Sequence, residues 1–96
     1  MPVYQINYDL RNQRDYSSLI KKIQAYGTYA KPLESCWIIF TDQSASQVGN
    51  NLASVMDADD GLLVTRLHSD IAWKGIEGNT DGAMSKWLKK YLGQAA

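Results

Sequence analysis

The chain is short of several things that would narrow its function at once. It has a single cysteine, Cys36, so no intrachain disulfide can form, and a reducing compartment fits that usage. It has a single histidine, His68, which with Asp70 nearby could serve as a general acid or base but at a strand end reads as structural. It has no excess of charge: ten basic residues balance ten acidic ones, so bulk electrostatics select no class of partner. Nucleic-acid binding would have to come from a local cluster of cations. No stretch approaches the roughly 18 apolar residues of a membrane span. Met-Pro-Val-Tyr at the start lacks the basic region and apolar run of a secretory signal. Repeats, low-complexity tracts and linkers are missing too. These absences point to a non-membrane, cytoplasmic protein.

What is present suits one small domain. Ninety-six residues sit near the low end of comfortable independent folding, and 45% hydrophobic residues are too many for a disordered chain. The core is expected to be thin, and dimerisation would thicken it.

Val3 to Asp9 reads as a short buried strand that ends on a carboxylate. A carboxylate at a rigid strand end is a place where a hard cation can sit; it is also a common turn former, and both readings of Asp9 stay open. Asp15 can cap a helix whose apolar stripe is Tyr16, Leu19, Ile20, Ile23 and Tyr26, with Gly27 at the C-terminal cap. Thr28–Lys31 is a strand that Pro32 ends or confines to a sheet edge. Ser35–Thr41, apolar and free of breakers, is the strongest strand signal. Ser44 or Ser46 caps a second helix with Val48, Leu52, Val55 and Met56 buried. Leu62–Leu67 is a fourth strand and Ile71–Ile76 a short fifth. A last helix carries Met84, Trp87, Leu88, Tyr91 and Leu92 on one face.

This order predicts an α+β fold: a ferredoxin-like βαββαβ sandwich over residues 1–76, followed by a loop and amphipathic helix over 77–96. Two helices then cover one face of an antiparallel sheet. Strand parity leaves some of Tyr4, Trp37 and Ile39 on the other face, which reads as a partner surface. The fifth strand and last helix are the natural pieces to complete a dimer.

Several residues carry chemistry on paper. Arg11, Arg14 and Lys31 can form a phosphate-binding rim near Asp9, or simply a solvated surface. Trp73 and Trp87 can stack on bases, although burial in a dimer interface is the better reading. Asp57, Asp59, Asp60 and Gly61 superficially resemble a calcium loop but lack its twelve-residue pattern and closing Glu, so they read as a solvated turn. His68 near Asp70 has no nucleophile at a readable spacing. Cys36, on the most apolar strand, reads as a buried small residue. Lys86, Lys89 and Lys90 suit a helix C-terminus.

Tyr8-Asp9 closing the first strand, the polar turn with Arg11 and Arg14, the helix ending Tyr26-Gly27 and Ser35-Cys36-Trp37 opening a core strand resemble one family. It is the CRISPR-associated adaptation subunits called here Cas-two, together with the toxin-type ribonucleases VapD. The resemblance covers residues 1–76. It implies a homodimer in which the two Asp9 residues meet across the axis and hold Mg²⁺ or Mn²⁺ for cleaving DNA or RNA. It also implies a fifth strand, Ile71-Ala72-Trp73, that pairs with the partner subunit. Some members of that family bridge nucleic acid and protein without needing nuclease activity, so a non-catalytic dimeric module is the alternative. The chain departs from the family in its longer Gly27–Ser35 stretch with Pro32, and in its last helix.

Overall fold

A computed structural model describes residues 2–10, 16–68, 71–76 and 82–92. Its elements are β1 (Val3–Asp9), α1 (Ser17–Gln24), β2 (Tyr29–Leu33), β3 (Cys36–Phe40), α2 (Ala45–Ala53), β4 (Gly61–Leu67) and α3 (Ala83–Leu92). The four strands form one sheet in the order β2-β3-β1-β4, and every neighbouring pair is antiparallel. The class is α+β.

The chain builds this sheet by two crossovers that each skip a strand. β1 runs through α1 to β2 and leaves room for β3 between them. β3 runs through α2 to β4 and brackets β1. The apolar stripes explain why both helices land on one face. Leu19 and Ile23 of α1 and Val48 and Leu52 of α2 are fully buried against Tyr4, Ile6, Trp37 and Ile39. Ser44 caps α2: its hydroxyl accepts from the Gln47 amide at 3.1 Å, and the Gln47 side chain accepts from the Ser44 amide at 2.8 Å. Asp15 lies outside the described residues; Tyr16 stands at the N-cap of α1, and its own side chain makes no cap bond. Gly27, past α1, has φ 85°, the left-handed conformation that glycine adopts without penalty.

Polar bonds tie this layer together. The Tyr4 hydroxyl donates to the Gln43 carbonyl at 2.7 Å, and the Trp37 indole N–H donates to the Tyr8 hydroxyl at 3.2 Å. The Tyr26 hydroxyl donates to Gln43 Oε1 and accepts from Asn51 Nδ2, which fastens the turn after α1 to the segment leading into α2 and to the last turn of α2.

The second face differs from expectation in two respects. Tyr4, Trp37 and Ile39 all face α1 and α2, so they form no exposed aromatic face. The opposite face is covered from within the chain. Leu88 of α3 is buried against Val3 and Ile38, and Met84, Trp87, Tyr91, Ile71, Trp73 and Ile76 pack around them. The second correction concerns the fifth strand. Among the described residues, 71–76 join no ladder of the sheet. They run as an irregular strap across the second face, where apolar side chains bury best by facing down onto the sheet rather than alternating along an edge. The Trp73 indole N–H donates to the Ser85 hydroxyl at 2.9 Å and pins strap to helix. Trp73 and Trp87 therefore pack inside one chain. Among the described residues, no helix is long and apolar enough to cross a membrane.

Candidate functional site

Strand alternation sets the site. Val3, Gln5, Asn7 and Asp9 share the second face of β1, and Val3 lies under α3. Among the described residues, the cover stops short of the far end of the strand. There Asp9 is exposed and paired with Gly61 of β4, and Asn7 is paired with Leu63. Gly61 adds no side chain beside Asp9. The result is a shallow groove of about 380 Å³ lined by Asn7, Tyr8, Asp9, Gly61, Leu62 and Leu63. Leu63 is 61% exposed, the most exposed large apolar side chain among the described residues.

A short polar row leads from the covered half to this end. Gln5 Nε2 donates to Asn7 Oδ1 at 3.4 Å and approaches Cys36 Sγ at 3.5 Å. Burial pushes the Cys36 thiol up from its ordinary value, and the Gln5 contact opposes that shift. A buried, hard-to-ionise thiol is a poor nucleophile, as expected from its strand.

The other sequence candidates spread out. Arg11, Arg14 and Asp70 lie outside the described residues. Lys31 sits on β2, separated from β1 by β3, and does not line the Asp9 groove. Two strand spacings put it about 10 Å away laterally. His68 is exposed just past β4. The Asp57–Asp60 turn closes on itself: the Asp57 amide donates to Asp60 Oδ2 at 3.0 Å, and the Asp60 amide to the Asp57 carbonyl at 3.1 Å. That is the solvated helix-to-strand turn read from the sequence.

Sequence reasoning missed Asn7 and Leu63. The signal for Asn7 was there in its parity with Asp9. Leu63 carried none, because a leucine in an apolar strand gives no hint of exposure.

A divalent cation can be tested against these groups. Mg²⁺ takes about six oxygen ligands, several of them water. One chain offers the Asp9 carboxylate and the neighbouring Asn7 amide oxygen. Among the described residues, no three His, Cys, Asp or Glu side chains gather. These oxygen donors suit a hard cation in kind, but one chain offers too few of them to hold it. A second copy placed on a two-fold axis would double them.

Neither a protein-family model nor a solved structure matches the chain.

Proposed function

We propose that this chain is a ferredoxin-like, homodimeric, cytoplasmic protein of the Cas-two and VapD type that cleaves DNA or RNA at a divalent-metal site made by two copies of Asp9. The strand order β2-β3-β1-β4, with two strand-skipping crossovers and both helices on one face, supports the ferredoxin-like reading. The observation that carries the functional reading is the company Asp9 keeps. Among the described residues it stands on the uncovered end of an otherwise covered sheet face, beside Asn7, a shallow groove and the exposed Leu63.

The chemistry follows from that placement. Leu63 supplies apolar area for a second copy, and a two-fold contact there brings the two carboxylates together. Two carboxylates at close range repel, so the pair favours a cation or a shared proton. A bound Mg²⁺ or Mn²⁺ would lower the pKa of an attacking water and stabilise charge on the phosphate. In this reading Asn7 positions the carboxylate side of the site and Arg11 and Arg14 meet the phosphate backbone without reading sequence, while Lys31, two strands away on β2, stands apart from the groove.

The test is a cleavage assay on single- and double-stranded DNA and RNA with Mg²⁺, Mn²⁺ or EDTA, run beside a mass measurement. Cleavage that needs metal and is lost in a still-dimeric Asp9→Asn supports the proposal. A dimer that binds nucleic acid and never cleaves it would replace the nuclease with a non-catalytic bridging module.

A further inference from the structure

The two edges of the sheet are built differently. β2 is guarded. Its register against β3 shifts between Ala30 and Leu33, and Pro32 offers no backbone donor. The second-face cover also reaches it. Tyr29 and Ala30 share a cavity with Ala83, Met84 and Trp87, and Pro32 and Leu33 share another with Ile71, Ala72 and Trp73. Among the described residues, β4 has no such guards. It is seven residues long, contains no proline, and pairs with β1 in unbroken register from Leu67 opposite Val3 to Gly61 opposite Asp9. The strap that follows it leads away toward β2.

The hydrogen-bond phase shows which groups β4 presents outward. The Tyr8 amide donates to the Ser35 carbonyl, and the Pro2 carbonyl accepts from the Thr41 amide, so even-numbered residues of β1 aim their backbone at β3. Odd-numbered residues then aim at β4, where they meet Gly61, Leu63, Thr65 and Leu67. By alternation, Leu62, Val64 and Arg66 turn their N–H and C=O groups away from the sheet. Among the described residues, no other backbone group bonds to them.

We infer that this β4 edge pairs antiparallel with β4 of a second copy, about a two-fold axis at Val64. The strand is self-complementary in that register. Val64 meets Val64 of the partner subunit and Leu62 meets Arg66 of the partner subunit, which gives about six inter-chain backbone bonds. On the other face, exposed Leu63 meets Thr65 of the partner subunit. Arg66 is the only charged residue of the strand. The two copies of it stand about 14 Å apart in this register, so like charges do not meet. The inference is independent of the Asp9 reading: pairing along the edge sets the two Asp9 residues three strand spacings or more apart, about 14 Å at the least, too far to share a cation. If both contacts exist, the chain has two different two-fold interfaces and assembles beyond a dimer.

The test is sedimentation over a range of protein concentrations, in EDTA and in Mg²⁺, on wild type, Val64→Pro, Thr65→Lys and Asp9→Asn, with circular dichroism to check folding. Val64→Pro removes an outward donor and no bond to β1. It is expected to weaken edge association about tenfold or more, since each dimer loses two bonds. Thr65→Lys keeps every backbone bond and sets an ammonium against Leu63 of the partner subunit, so it weakens association even if the proline variant fails to fold. Asp9→Asn and EDTA leave this contact intact. The inference is overturned by a wild type that stays monomeric, by association that Val64→Pro and Thr65→Lys do not change, or by an edge that takes up a foreign extended peptide and never its own copy. Association that survives both edge variants would sink this contact and leave the Asp9-centred dimer, which Asp9→Asn is expected to keep, as the account of it.

Discussion

The two faces of the sheet are covered by different means. On the first face two helices lie across the strands and bury eight large side chains in one cluster, with hydroxyl and amide bonds knitting helix to loop. On the second face one helix and an irregular strap pack on a smaller buried cluster of Val3, Ile38 and Leu88, and aromatic rings surround it: Phe40 and Tyr91 at 5.0 Å, Trp87 and Tyr91 at 4.7 Å. The first face holds the larger core. Among the described residues the second is half cover and half open surface, and Asp9 stands on the open half. Chemistry placed there is held by the rigid β1 backbone yet reachable from outside.

The largest test of that contrast is a pair of core truncations. Leu52→Ala on the first face is expected to cost about 2–5 kcal/mol, read as a shift of the denaturant midpoint. Leu88→Ala on the second face is expected at the low end of that range, because α3 and the strap can settle into part of the void. Equal costs would erase the distinction between the faces. Hydrogen exchange sharpens it: amides of α3 are expected to open at lower free energy than those of β1 and β3.

A smaller effect probes the first face alone. Ser44→Ala breaks the capping box and is expected to cost about 1 kcal/mol by the same midpoint measurement. A smaller one still probes the boundary between covered and open halves. Because burial raises the Cys36 thiol, the unfolded chain ionises first as pH rises. Stability is full below the unfolded thiol's value and is lost as pH climbs toward the folded one. Wild type should therefore lose more stability than Cys36→Ala between about pH 8 and 10. Equal losses would mean that the thiol is open to solvent.

Much of this architecture was legible in the sequence because local signals agreed. The stripe Leu19, Ile20, Ile23 and Tyr26, the cap at Ser44, the left-handed Gly27 and the proline that confines β2 to an edge each act over a few residues. Face assignment was not legible. Trp37, Ile38, Ile39 and Phe40 form a continuous apolar run, and a strand buried on both sides shows no alternation from which to read which residue faces which layer. Ile71 and Trp73 are spaced by two, as in a strand, but the same spacing serves a strap lying on a sheet. Asp9 was legible as a strand-end carboxylate. Its neighbours were less so, because Leu63 is brought to it by pairing between distant strands, and the β2 position of Lys31 follows from strand order rather than from sequence distance.

The central claim is that Asp9 serves chemistry and not the fold. Its most direct test is to measure cleavage and stability together in Asp9→Asn. Asp9 is exposed, so its substitution is expected to move stability by no more than about 0.5 kcal/mol while abolishing metal-dependent cleavage of DNA or RNA. Cleavage that persists in Asp9→Asn, or a variant that loses activity only because it unfolds, would contradict the account.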